Sequence, residues 1–214
     1  GLMTGSEGLL GVVTEVTVKI LKTPEVIKAA LIGFSSIEDA GNCVAQIIAK
    51  GCIPAGMEIM DKALLKATND FCKAGYPTEA EAMMIIEFDG SEFEVESHIK
   101  TAEKIAKENN SSSIKISQSN EERLKFWSGR KAAFPACGDL APDYMCMDGS
   151  IPRGKLAEVL KEINNLSKKY KLPVANAFHA GDGNLHPLIM FDASDKDQLR
   201  RCEEFGADIL KYCV

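Results

Sequence analysis

The sequence predicts an α+β fold: ferredoxin-like units in which a largely antiparallel sheet carries helices on one face. Three observations predict it. Short apolar or β-branched runs alternate with amphipathic helical stretches along the 214 residues. Several neighbouring strands are joined by turns too tight for the crossover that a parallel pair needs. The links are short and free of low-complexity sequence, so the order β-α-β, β-α-β, β-α-β-β-α folds back onto one sheet.

Each element has its own signal. Residues 11–20 alternate and are rich in Val, Thr and Ile, which predicts a strand. A second strand is expected over 26–34. Ser36 then reads as the N-cap of a helix over 37–50. The short apolar run 53–59 predicts a strand, and 61–73 a helix. Residues 82–88 read as a buried strand, ended by Asp89-Gly90 and followed by a charged amphipathic helix over 91–109. A strand over 114–117 precedes a helix from Asn120 to Phe134, a loop rich in Pro and Gly, and a strand near 144–149. The helix expected over 153–170 buries Leu156, Val159, Leu160, Ile163 and Leu166. Strands over 174–180 and 185–191 lead to a last helix after Ser194, with Leu199, Cys202, Phe205 and Ile209 on one face. No exact repeat marks the two halves.

Bulk properties exclude several roles. No apolar run reaches the roughly 18 residues of a membrane span. A net charge of -6 speaks against a nucleic-acid footprint, which needs a basic face. The seven cysteines are odd in number and form no Cys-x-x-Cys pair, so reduced thiols in a cytoplasmic protein are expected, not disulfides or a cysteine-based zinc site. The first residues carry neither an initiator Met nor a signal-peptide pattern, and Lys211–Val214 stops on a helical stretch without a Gly cap. Both ends read as those of a fragment.

The sharpest motif is His179-Ala180-Gly181-Asp182-Gly183-Asn184-Leu185-His186, which holds two of the three histidines. Asp-Gly is a strong signal for a two-residue hairpin turn. With Asp182-Gly183 at its centre, His179 faces His186. Directly opposed residues have Cβ atoms about 4.5–5.5 Å apart on one face, near enough for two imidazoles to share a divalent metal. The alternative is a tight hairpin whose histidines only pack or hydrogen-bond. His98, on a solvated helix, is not favoured as a further ligand.

Arg130 is the second candidate. It lies three and four residues from Trp127 and Phe126 and from Ala133 and Phe134, on the apolar stripe of its helix. A guanidinium there is costly unless it meets an anion, and its planar fork suits a carboxylate. The alternatives are snorkelling or a structural pair with an acid such as Asp148. Gly5, Gly8 and Gly11 permit close backbone approach to a ligand, or form a plain turn before a strand.

Together these features resemble a known family. Gly5-Ser6-Glu7-Gly8-Leu9-Leu10-Gly11-Val12-Val13-Thr14-Glu15 resembles the Gly-Ser-Glu-Gly-Thr-Leu-Gly-Ile-Ile-Thr-Glu segment that closes the flavin-binding domain of FAD-linked oxidases of the vanillyl-alcohol-oxidase type. It departs at Leu9-Leu10-Gly11, where the family has Thr-Leu-Gly. Phe126–Lys131, Met147–Pro152 and His179–Pro187 resemble the C-terminal, substrate-capping domain of the glycolate oxidase flavoprotein subunit and its D-lactate dehydrogenase relatives. The resemblance implies that residues 1–22 are the terminal segment of an FAD-binding domain, and 23–214 a substrate domain cut short at its C-terminus. It implies FAD contacts at Gly5, Ser6, Glu7, Gly8, Gly11, Val12 and Asn184. His179 and His186 would hold zinc or iron, with a third ligand from a Glu-His-Gly motif that does not occur in this chain. A lysine that relatives acting on 2-hydroxyglutarate use falls near Cys146, which favours a small substrate.

The implied activity is oxidation of a small 2-hydroxy acid, glycolate or D-lactate, to the 2-oxo acid with hydride transfer to FAD. Arg130 would hold the substrate carboxylate. His179 and His186 would carry a Lewis-acid metal, or one of them would act as general base. Further oxidase subunits or a separate electron acceptor are the implied partners. The rival expectation is a non-catalytic metal-binding or protein-interaction module with a ferredoxin-like fold.

Overall fold

In the computed structural model, which describes residues 1–214, eight strands form one sheet and every pairing in it is antiparallel. The first unit is β1 (Val26–Phe34), α1 (Ile37–Ala49), β2 (Gly56–Asp61), α2 (Lys62–Cys72), β3 (Ala82–Gly90), α3 (Glu92–Glu108) and β4 (Ser111–Ile116). Its spatial order β4-β1-β3-β2 is the ferredoxin-like one, with α2 inserted between β2 and β3. Next come α4 (Asn120–Lys131) and α5 (Ala133–Ala136), separated by Ala132. The single helix expected over this stretch therefore breaks at Ala132, and Pro135 falls in the first turn of α5, where a missing N–H is tolerated.

The second unit is β5 (Asp143–Cys146), β6 (Gly149–Ser150), α6 (Leu156–Tyr170), β7 (Val174–His179), β8 (Asn184–Phe191) and α7 (Lys196–Cys213). The order β5-β8-β7 repeats the β1-β3-β2 arrangement of the first unit, a repeat of topology without a repeat of sequence. The strand expected near 144–149 is two short pieces, β5 and β6, both paired with β8.

The two units join edge to edge. Strand β2 pairs with β7 through Ile59↔Phe178 and Met60↔Ala177. Strand periodicity sends alternate side chains to opposite faces. Ala30, Ile32 and Phe34 meet α1, α3, α6 and α7 on one face, in a core of 35 buried residues. Ala29 and Leu31 meet α2, α4 and α5 on the other, in a core of 17. Helices therefore cover both faces, four long ones on the first and three shorter ones on the second, where the sequence predicted one face only.

Local signals account for the boundaries. The Ser36 side chain accepts from Asp39 N–H, the N-cap read from sequence. Ser91 and Glu94 form a reciprocal capping box at the start of α3.

One predicted strand is absent. Residues 11–20 form no ladder, and Val12, Val13, Val16, Val18 and Ile20 are exposed. The alternation is genuine, but a strand needs a neighbour to take its N–H and C=O groups, and no strand of this chain pairs with it.

Candidate active site

Helix α4 brings Arg130 to the sheet and is pinned there at several points. Ser119 caps it through Glu122 N–H. Phe126 is buried, and the Tyr76 hydroxyl donates to its carbonyl oxygen. A Cβ on Gly129 would lie 2.3 Å from Tyr76 Oη, so this close approach requires glycine. Trp127 Nε1 and Arg123 Nη1 both donate to Glu87 Oε2 on β3, at 2.6 and 2.9 Å. The Trp127 ring lies over Gly56 of β2. Arg130 is thereby buried, as its place on the apolar stripe predicted, while Lys131 faces solvent. Its anion is not Asp148. Arg130 Nε donates to Glu58 Oε2 on β2 at 2.9 Å.

The histidine hairpin differs in register from the predicted one. His179 pairs with Asn184 and His186 with Ala177, so the loop is Ala180–Gly183, four residues instead of two. The cause is tertiary. Gly181 N–H donates to Met57 O on β2, and Gly183 O accepts from Ile151 N–H. Asp182 N–H donates to His179 O, and Gly183 closes the turn at φ +74°. A Cβ on Gly183 would lie 2.2 Å from Ile151 O. The loop's backbone is thus partly committed to β2 and to the segment after β6, and cannot close as a two-residue turn. His179 and His186 become diagonal neighbours but keep one face. Their ring centroids are 4.9 Å apart with planes at 89°.

His179 Nδ1–H donates to Glu58 Oε1 at 2.6 Å. One carboxylate therefore joins both candidates found in the sequence, Arg130 and His179. Sequence reading missed Glu58. The signal available was a lone charge inside the apolar run Met57-Glu58-Ile59-Met60, at the parity that faces the second core. His186 lies beside these groups, edge-on to Phe134 at 6.4 Å, with Asp148 Oδ1 3.7 Å from its Nδ1. Burial holds the His186 pKa below its ordinary value. Asp148 and Glu58 oppose that shift, and His179 and Arg130 reinforce it. Asn184 completes the face, and its Oδ1 is buried without a hydrogen-bond partner.

Two imidazoles are nitrogen donors suited to a divalent ion of zinc or iron type. With Nδ1 of His179 held by Glu58, Nε2 is the ring nitrogen left to bind a metal ion. No group of three or more His, Cys, Asp or Glu side chains in this structure could by itself hold a metal ion. His98 cannot join them, because it packs on Phe88, whose side chain lies in the core on the opposite face.

The N-terminal candidates stand apart. Gly5 and Gly8 have φ of +73° and +80°, Glu7 has +48°, and a Cβ on either of these glycines would meet nothing within 4 Å. This open, left-handed backbone fits close approach of a ligand. No hydrogen bond links Gly5, Ser6, Glu7, Gly8, Gly11 or Val12 to the histidine–arginine cluster. The unpartnered Asn184 Oδ1 is the cofactor candidate that the fold does bring to the cluster.

Residues 23–214 match the family model described as FAD linked oxidases, C-terminal domain. The chain belongs to this family. It is 50% identical over 213 residues to "Glycolate oxidase subunit GlcD" of Escherichia coli (strain K12), covering 100% of this chain and 43% of that protein. It is 37% identical to the protein of the same name from Bacillus subtilis (strain 168), covering 100% of this chain and 45% of that one. It is 32% identical to "D-lactate dehydrogenase [cytochrome], mitochondrial" of Arabidopsis thaliana, covering 96% and 36%. The chain thus spans less than half the length of these relatives.

Among solved structures, an alkyldihydroxyacetonephosphate synthase aligns with TM-score 0.67 at 17% identity, over 98% of this chain and 44% of that one. A p-cresol methylhydroxylase aligns with TM-score 0.64 at 14% identity, over 88% and 43%. These two likenesses establish the fold. FAD is the cofactor of the family, and no helix here is long and apolar enough to cross a membrane.

Proposed function

We propose that this chain is the substrate-side domain of a flavoprotein that oxidises a small 2-hydroxy acid, glycolate or D-lactate, to the 2-oxo acid. The observation that carries this reading is the convergence of Arg130, His179, His186 and Asn184 on one face around Glu58. The names of the most similar relatives support the substrate class. In this reading residues 1–22 end an FAD-binding domain, where Gly5, Ser6, Glu7, Gly8, Gly11 and Val12 meet the flavin, and residues 23–214 form the substrate domain.

FAD, held by Gly5, Ser6, Glu7, Gly8, Gly11, Val12 and Asn184, would supply the two-electron oxidant for the hydride leaving C2 of the substrate. Zinc or iron held by His179 and His186, together with a ligand from outside this chain, would supply Lewis acidity at the substrate's hydroxyl. The chain's own groups do the rest. Arg130 presents its fork to the substrate carboxylate and fixes its orientation. Burial favours the neutral form of His186, which leaves its ring nitrogen able to take the hydroxyl proton or to act as a metal ligand. Asn184 offers its buried carbonyl oxygen to a donor on the flavin or substrate.

The test is a screen of the full-length protein against glycolate, D-lactate, L-lactate and 2-hydroxyglutarate with an artificial electron acceptor. The expected outcome is a flavin-containing protein that turns over a small D- or achiral 2-hydroxy acid. A preference for the diacid would sink the small-substrate assignment, and a purified protein without flavin would sink the class.

A further inference from the structure

We propose that Glu58 is a positioning residue that decides which atoms of Arg130 and His179 face the substrate; this rests on the 2-hydroxy-acid reading above. Glu58 lies on β2, 72 residues from Arg130 and 121 from His179 in sequence, and its side chain is 11% exposed. Its two oxygens do separate work. Oε2 accepts from Arg130 Nε, and Oε1 accepts from His179 Nδ1.

A guanidinium has five N–H donors in a fixed plane. With Nε–H occupied by Glu58, the end-on pair Nη1 and Nη2 remains, and neither has an acceptor within the chain. The buried, unpartnered polar atoms of the chain do not include Nη1 or Nη2, so this end of an otherwise buried side chain opens to solvent, where an incoming anion can meet it. An end-on fork is one of the two edges that can grip a carboxylate bidentately. The same logic applies to His179. A carboxylate on Nδ1 selects the tautomer whose Nε2 carries the lone pair and sets the ring's direction, as it does for histidines that ligate metals. One carboxylate thus holds two groups from different elements, α4 and β7. Its single negative charge also offsets the cost of burying the arginine.

Glu58→Gln separates positioning from bulk. The amide has the carboxylate's shape, but it offers an acceptor on one side only. Either Arg130 Nε–H or His179 Nδ1–H then loses its partner, or the imidazole flips to the tautomer with the proton on Nε2. The variant is made in the full-length protein beside wild type and Glu58→Asp, with flavin content and Tm as controls for folding. Two readouts follow: KM and kcat for the preferred 2-hydroxy acid, and affinity for Zn(II) alone by chelator competition.

For Glu58→Gln at wild-type flavin content, KM rises on the order of 10–100-fold and zinc binding weakens by a similar factor. Glu58→Asp keeps the charge but is one methylene shorter, so it restores at most one of the two readouts. Should Glu58→Gln fail to fold, Glu58→Asp decides, because its shorter side chain cannot span both partners at their present distances. An active wild type whose Glu58 variant keeps its KM and zinc affinity overturns the positioning role and leaves the functional reading intact. A wild type that oxidises no small 2-hydroxy acid and binds no zinc overturns both.

Discussion

At the scale of single residues, Arg130 and Asp61 make separable predictions. Arg130→Ala removes the fork and leaves Glu58 with only His179. In the full-length protein KM for the 2-hydroxy acid should rise about 100-fold, the order expected for a charge-assisted bidentate contact. Stability should fall by roughly 3 kcal/mol, since one partner of a buried ion pair is lost. Steady-state kinetics and a urea titration check the two parts, and unchanged kinetics would end the carboxylate assignment. Asp61 caps α2 through Leu64 N–H and accepts from Asn176 Nδ2. Burial raises its pKa from 3.8 to about 6, against the lowering effect of these hydrogen bonds. The folded state therefore holds a proton that the unfolded chain has released between pH 3.8 and 6, so this group's contribution to stability falls as pH rises through that window. Wild type should gain on Asp61→Asn as pH drops from 7 to 4.5 in paired denaturation curves. A constant difference would contradict the raised pKa. Arg130 was legible in the sequence because a helix makes an arginine on an apolar stripe conspicuous. Glu58 was not, because its partners are remote in sequence and a strand reports only which face a charge occupies.

At the scale of elements, the hairpin carries both the main success and the main correction. Its strands and the shared face of His179 and His186 follow from alternation. Its register does not, because the Asp-Gly signal describes a free hairpin and this loop is held by Met57 and Ile151 from other elements. The unpaired segment 11–20 teaches the same lesson: periodicity reports what a segment can do, and a neighbour decides whether it does. The loop is testable at Gly183. A Cβ there carries the strain of a left-handed residue, about 1–2 kcal/mol, and a collision with Ile151 O. Gly183→Ala should lower stability by at least 2 kcal/mol and weaken Zn(II) binding at the histidines. A variant with wild-type Tm and zinc affinity would mean that the loop's tertiary bonds do not set the histidine geometry.

At the scale of the whole molecule, the site lies on the join between the two units. Glu58 belongs to β2 and His179 to β7, the pair of strands that connects them, and Arg130 comes from the helix linking one unit to the next. Asp61 and Asn176 meet across the same join. The site should therefore sense anything that shifts one unit against the other, even from the opposite face of the sheet. Gly41 of α1 provides the handle, since α1 and α6 belong to different units and a Cβ at Gly41 would lie 3.0 Å from Ala157 N. Gly41→Leu forces these helices apart on the long-helix face. Overpacking of this kind costs about 1–3 kcal/mol, and the shift should open the β2–β7 join that holds Glu58 against His179. In the full-length protein Tm should fall and KM should rise severalfold together, although Gly41 lies on the other face from the site. A variant with lowered Tm and wild-type KM would mean that the two residue pairs at the join, Ile59↔Phe178 and Met60↔Ala177, hold the site without help from the helices.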